Sequence, residues 1–348
     1  MSTYERGGAA GSPAGVAVGS APARASDEIV PGGAESAPDA RQRARPRRGG
    51  GRQGSRSLPY LLILPSLAVL AGIFGYPAVY LIRISFQRFD RSQLFGAEPA
   101  KWIGLDNYRE FVTSADFVAI AARTVAFTAA CVTLTVGLAL LIALLMQRVS
   151  TWVRVLLLTA MMFAWAMPPI SAVAVFGWLV DYQTGVVNWL IDKLPGVEWG
   201  QHNWFINPVQ GFAVIVAMIV WGAIPFVAVA LYAGLTQVPQ DLVEAARIDG
   251  AGRWAVYRNV VYPVIRPVVI ICTTLSIIWD FQVIVQILAM LDNTPSPDYF
   301  TLPLYAYMTS IVGGYYGLGA AAAVIMILGL IGLSFFYIRQ TLRIQEID

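Results

Sequence analysis

Asp280 stands inside an apolar run, residues 268–290, with Gln282 and Gln286 two and six positions further on. A carboxyl placed in mid-membrane costs ~3 kcal/mol or more, so such a residue usually faces a bundle interior or a water-filled cavity. Carboxyl and carboxamide groups accept from and donate to hydroxyls, which is the chemistry needed to hold a polyhydroxylated solute. Trp221, in the apolar run 211–235, adds an aromatic face for the apolar side of such a solute. Two other uses fit the same residues: polar groups stitching helices together, or proton uptake by Asp280. On one α-helix Gln282 and Gln286 share a face, while Asp280 lies about 160° from Gln282. A single wall therefore presents all three only if the helix unwinds.

A second polar stretch, residues 236–267, separates two apolar runs. Pro239 and Asp241 are suited to a helix start, and Gly250 is suited to a helix stop because it tolerates positive φ. Between them Leu242, Ala245 and Ala246 are expected on one face, small enough for another surface to approach closely. The spacing predicts a short charged helix tethered between two spans and suited to a partner's groove.

The elements that must position these residues are apolar helices. Hydrophobic residues make up 57% of the 348-residue chain and charged residues 13%. That balance is that of a protein whose solvent is lipid. Six runs, about 58–82, 124–146, 155–180, 211–235, 268–290 and 317–337, are each long enough to cross a hydrocarbon core of about 30 Å. Only the fifth contains a charge, Asp280. Prolines 65, 77, 168, 169 and 225 fall within these runs, and in a bundle neighbouring helices can satisfy the carbonyls they free. The fold class expected is therefore an all-α integral membrane bundle of six helices.

Residues 1–57 are rich in Ala, Gly, Pro, Ser and Arg, and are expected to be a disordered basic tail. The basic cluster from Arg41 to Arg48 reads as a contact with anionic lipid and an orientation signal rather than a nucleic-acid tail. Basic residues concentrate on one side of the alternating loops: the tail, Arg148, Arg154, Arg247, Arg253, Arg258, Arg266, Arg339 and Arg343. The residue 291–316 loop, on the other side, has none. Both termini and the 236–267 loop are thus expected to be cytoplasmic, in a multi-pass protein of the cell membrane.

Several chemistries are excluded. One histidine, His202, leaves no multi-histidine metal site, and no P-loop is present because neither Lys101 nor Lys193 follows a glycine. Cys131 and Cys272 lie within apolar runs without metal or redox spacing. No catalytic residue, metal or cofactor is expected, and any ATP must be handled by a separate chain.

The 236–267 stretch resembles the EAA loop of ABC importer permeases. Glu244, Ala245 and Ala246 are followed after three residues by Gly250, then by Val260, Tyr262 and Pro263 in the places of Ile, Leu and Pro. Asp249, Ala251, Trp254, Tyr257, Arg258 and Pro267 fit the fuller version seen in sugar permeases, with Ala255 where Gln is usual. The run from Gly104 to Tyr108 resembles the GLDNY element of that family. Trp221 with Pro225 and Phe226, then Ala233 to Leu235 and Pro239, resembles its lead into the EAA loop. Trp279 to Gln282 resembles an Asn-rich segment of maltose permeases that lines the sugar cavity, although the Thr-x-Gly-Gly-Pro that follows there is not kept.

The resemblance implies a permease of an ATP-driven importer for a sugar, a di- or oligosaccharide, working by alternating access. Its partners would be a second permease subunit, two cytoplasmic ATP-binding subunits and an extracellular solute-binding protein. Glu244, Ala245, Ala246, Asp249 and Gly250 would then couple to the ATPase, and Asp280, Gln282, Gln286 and Trp221 would contact the sugar. A permease for another solute, or a proton-coupled carrier, is the alternative.

Overall fold

Uncharged runs become long helices except where proline pairs or polar capping interrupt them. In the computed structural model, which describes residues 58–196 and 199–345, α1 (Leu58–Leu70) passes through a π turn at Ala71–Gly75 into α2 (Tyr76–Ser85). The basic tail expected at 1–57 lies outside the described residues. A two-stranded antiparallel ribbon, β1 (Gln87–Arg88) with β2 (Lys101–Trp102), encloses α3 (Arg91–Leu94) and leads to α4 (Asp106–Thr113). Asn107 fastens this region: its amide donates to the carbonyls of Ser85 and Gln87 at 2.8 and 2.9 Å.

The bundle itself is built on α5 (Phe117–Met146) and α9 (Pro208–Leu235), which pack along each other. Ala139, Ala143 and Ala228 are fully buried beside Leu231 and Leu235. Small residues here let the two backbones approach closely, the usual device for helix association in lipid. Thr124 joins the far end of α5 to α14 (Leu302–Tyr307), its hydroxyl accepting the Leu302 amide at 2.8 Å. That satisfies one of the donors left free at the start of α14. The long α15 (Tyr316–Gln345) packs on α2, α4 and α14.

The run expected as one span at 155–180 is instead two helices, α6 (Thr151–Trp165) and α7 (Pro169–Leu179), bent by 99°. The cause is the proline pair. The residue before a proline is forced out of the helical region, and Pro168 sits at φ −59°, ψ 141°. Among the described residues five other helices are long and apolar enough to cross a membrane, six spans in all if the bent pair counts as one. The most apolar window of the first of them, Ile63–Ser85, is not buried at all within the chain.

The fifth run also differs from expectation. Its helix begins far earlier, through α11 (Arg253–Val256), a π turn at Tyr257–Val261 and α12 (Tyr262–Phe281), and it stops before Gln282. After the break come α13 (Val285–Met290) and a 3-10 turn at Pro297–Tyr299. The 236–267 stretch, expected to hold one short helix ending near Gly250, is therefore helical again from Arg253 onward.

The loop after α7 forms its own small fold around α8 (Val186–Asp192). Buried Asn188 accepts the indole N–H groups of Trp199 and Trp204 at 3.2 and 2.7 Å, and donates to the carbonyls of His202 and Asp181. Asp181 closes the preceding turn, and the Thr184 amide and hydroxyl hold its carboxyl below its ordinary pKa. Trp199 and Trp204 are thus held by one asparagine that sequence reasoning did not single out.

Tyr299 pins this face to the start of α9. Its hydroxyl donates to the Phe205 carbonyl at 3.0 Å. Burial first, and then Asp298, pushes that hydroxyl up to about 12, so it remains a donor at neutral pH. Its ring lies against Gly211, where an added Cβ would overlap the hydroxyl. Gly211→Ala is expected to destabilise the protein by ~1–3 kcal/mol, read as a lowered Tm in detergent. Gly137→Ala, inside α5 where an added Cβ meets nothing within 4 Å, should not lower Tm.

Candidate functional site

Two regions collect the residues of interest. The first lies near the midpoint of α9, beside the bend between α6 and α7 and the break between α12 and α13. A cavity of about 380 Å³ is walled by the α6–α7 bend, by α9 around Trp221 and Phe226, and by the end of α12 with α13. Pro225 lies within that stretch of α9. Irregular backbone at membrane depth is tolerated where it lines a cavity, and transporters build their solute sites from interrupted helices.

Asp280, Gln286 and Trp221 all line this cavity. Asp280 is 4% exposed, and its Oδ2 makes no hydrogen bond among the described residues. A buried oxygen without a partner loses about 1–3 kcal/mol, so the position is not optimised for stability. Trp165, Phe226 and Trp279 continue the lining as a row of rings: Trp165 stacks on Phe226 at 6.3 Å and 21°, and Trp279 meets Phe226 edge-on at 5.5 Å. Trp221 packs against Phe176 at 5.7 Å. The site is thus a carboxyl and an amide set among indole faces, suited to hydroxyl hydrogen bonds and ring stacking.

Gln282 does not join them. Its backbone leaves the helix at φ −101°, ψ 11°, and its amide nitrogen donates to the Ile278 carbonyl at 2.8 Å. The backbone N–H of Gln282 goes to Trp279 instead, so the side chain supplies the donor that Ile278 would otherwise lack. Gln282 is a helix-ending residue whose side chain is exposed away from the cavity lining. The unwinding that it closes is what lets Asp280 and Gln286 face one space. Trp165 and Trp279 were missed as lining residues. Trp279 is next to Asp280, but Trp165 has no local signal.

The second region is α10 (Gln240–Ile248). Val243 is buried, and Ala246 packs beside it against the core that contains Val256 and Leu235. Leu242, Ala245 and Ile248 point outward, Ile248 being 86% exposed. Ala246 therefore belongs to the inner face, and Ile248 replaces it in the outward set. The reason is phase: only the i, i+3 pair Val243–Ala246 meets the bundle. Glu244 and Asp249 are exposed beside that outward strip.

The end of α10 is a double-bonded turn. The Gly250 amide donates to the Arg247 carbonyl at 3.1 Å and the Ala251 amide to the Ala246 carbonyl at 3.0 Å. This closure requires a left-handed residue after the helix, and Gly250 has φ +81°. Only Asp249 to Gly252 then separate α10 from α11, so α10 is joined by a short connection to the helix that runs to Asp280.

Residues 135–344 match the family described as binding-protein-dependent transport system inner membrane component. The chain belongs to that family. This permease is 39% identical over 309 residues to the diacetylchitobiose uptake system permease protein DasB of Streptomyces coelicolor, covering 86% of this chain and 93% of that one. It is 29% identical over 283 residues to the trehalose/maltose transport system permease protein MalF of Thermococcus litoralis, covering 81% and 92%. Among solved structures, a chain of a bacterial ABC transporter that imports the acidic polysaccharide alginate has a TM-score of 0.68 at 18% identity, covering 82% of this permease and 96% of that chain. The permease is an integral membrane, multi-pass, all-α bundle and a transport subunit of an ABC importer.

Proposed function

We propose that this permease imports a carbohydrate, of di- or oligosaccharide size, by alternating access driven by ATP. The observation that carries this reading is the mid-bundle cavity, where interrupted helices bring an unpartnered carboxyl, an amide and several indoles together. Relatives named for diacetylchitobiose and trehalose/maltose uptake support the solute class. In this scheme Asp280 and Gln286 hold hydroxyls, and Trp221, with Trp165 and Trp279, stacks on ring faces. Gln282 acts on the site by ending α12.

The assembly would contain a second permease subunit, two ATP-binding subunits and an extracellular solute-binding protein. The last is supported by a solved alginate transporter in complex with an alginate pentasaccharide-bound periplasmic protein. Both termini and α10 would be cytoplasmic, as the arginine bias supports. Leu242, Ala245 and Ile248 would seat in the ATPase groove, with Glu244 and Asp249 at its edge. ATP binding would favour one orientation of the cavity and hydrolysis the other, a shift that needs several kcal/mol of difference between states. Ala245→Cys is expected to crosslink to an ATP-binding subunit in membranes; a label reaching that cysteine only from outside intact cells would overturn the placement.

Uptake in membrane vesicles holding the assembled importer and loaded binding protein tests the whole reading. Accumulation of a di- or oligosaccharide should require ATP and survive collapse of the proton gradient. Accumulation that vanishes with the gradient and persists without the ATPase would establish a proton-coupled carrier instead.

A further inference from the structure

A larger cavity, of about 1280 Å³, lies beneath α10 at the opposite end of the bundle from Tyr299. Four arginines line it: Arg148, Arg154, Arg247 and Arg253. No aspartate or glutamate does so among the described residues, although Asp241, Glu244 and Asp249 lie on or beside α10 close by. The solute cavity uses none of these basic groups.

Arg154 is fixed in place. Its Nε donates to the Met146 carbonyl at 2.8 Å and one Nη to the Val149 carbonyl at 3.3 Å, and its guanidinium lies over the Tyr232 ring at 5.5 Å. These partners are neutral, and no carboxylate pairs with it among the described residues. Arg148 and Arg253 are exposed at the rim, where Trp254 and Tyr257 add amphipathic rings. The wall behind them is apolar. Leu140, Leu141 and Leu144 carry it up α5, away from the rim, and Leu141 is 63% exposed on the outer surface of the bundle. The cavity thus joins a cationic, aromatic mouth to an apolar wall that continues onto the lipid-facing side.

We infer that this cavity holds an anionic phospholipid, its phosphate among Arg148, Arg154, Arg247 and Arg253 and an acyl chain along Leu140, Leu141 and Leu144. Basic pockets between spans on the cytoplasmic side are suited to such headgroups, while aromatic rings belong at the headgroup level. An acidic protein surface would answer the rim charges but leave the leucine wall uncovered. The inference rests on the cytoplasmic placement of this end proposed above.

The test uses the assembled importer, purified in mild detergent from membranes holding phosphatidylglycerol and phosphatidylethanolamine, with retained lipid quantified after extraction. The wild type should retain phosphatidylglycerol in preference to phosphatidylethanolamine. The double variant R148Q/R253Q should lose that preference by on the order of tenfold, while Arg88→Gln, in the β1–β2 ribbon, should not change it. The charge-keeping variant R148K/R253K should retain most of the preference, which separates lost charge from lost folding. Equal retention of both lipids by the wild type, or an unchanged preference in the double variant, would overturn the proposal. Displacement of the retained lipid by millimolar inorganic phosphate would assign the arginines to a free anion instead. Labelling of Arg148→Cys by an impermeant maleimide in intact cells would refute the cytoplasmic placement; no labelling together with no lipid preference would refute the lipid site alone.

Discussion

Gly250→Trp is expected to leave the permease in the membrane at close to its normal level and to reduce ATP-driven uptake to background. The two halves of that result have separate causes. An added Cβ at Gly250 meets nothing within 4 Å, so the new side chain sets out into open space from an exposed turn rather than into the bundle. A non-glycine residue at φ +81° costs roughly 1–2 kcal/mol, which a bundle of this size tolerates. The space the indole takes, however, is beside the outward strip Leu242–Ala245–Ile248, where the ATPase is proposed to seat. Gly250→Ala carries the same backbone cost without the bulk and should keep most of the uptake. Measuring membrane abundance and radiolabelled sugar uptake for both variants decides the matter. Normal uptake by the tryptophan variant would remove the proposed role of this turn.

Asp280→Leu should have opposite effects on stability and function. Removing a buried carboxyl whose Oδ2 lacks a partner among the described residues relieves about 1–3 kcal/mol, so Tm should rise. The same change deletes the only carboxyl lining the cavity among the described residues, and uptake should fall at least tenfold through loss of about 1.5–3 kcal/mol of hydrogen bonding. If Asp280 instead stitches helices together, the leucine variant would lose stability and uptake in parallel. Thermal unfolding and uptake measured on the same preparations separate the two. Gln282→Leu extends the contrast: it should lower Tm by exposing the Ile278 carbonyl, and alter uptake only through that loss of order.

The helices were legible in the sequence because hydrocarbon allows few ways to satisfy a backbone, and long uncharged runs admit only one of them. What could not be read locally was where those helices break. Pro168–Pro169 was visible as a proline pair in the third run, but a modest kink and a 99° bend share that signal. Gln282 was read as a ligand because its partner, the Ile278 carbonyl, appears only once the helix has already ended. Ala246 was placed on the outward face of α10 because helical phase alone does not say which side meets the core. Asp280, Gln286 and Trp221 were singled out because polar or large aromatic groups in apolar runs call for a reason, and all three line one cavity. Trp165 and Asn188 were missed because their importance lies in contacts with distant parts of the chain.

The unbroken course from Arg253 to Phe281 has a mechanical consequence. Its 29 residues measure about 43 Å at 1.5 Å per residue, and they start three residues past the turn at Gly250 and finish one residue beyond Asp280. α10 is therefore mounted on one end of a pushrod whose other end carries the carboxyl. In the scheme proposed above, a displacement of α10 would travel along this shaft toward the solute, and the π turn at Tyr257–Val261 and the proline at 267 are places along it where it can flex.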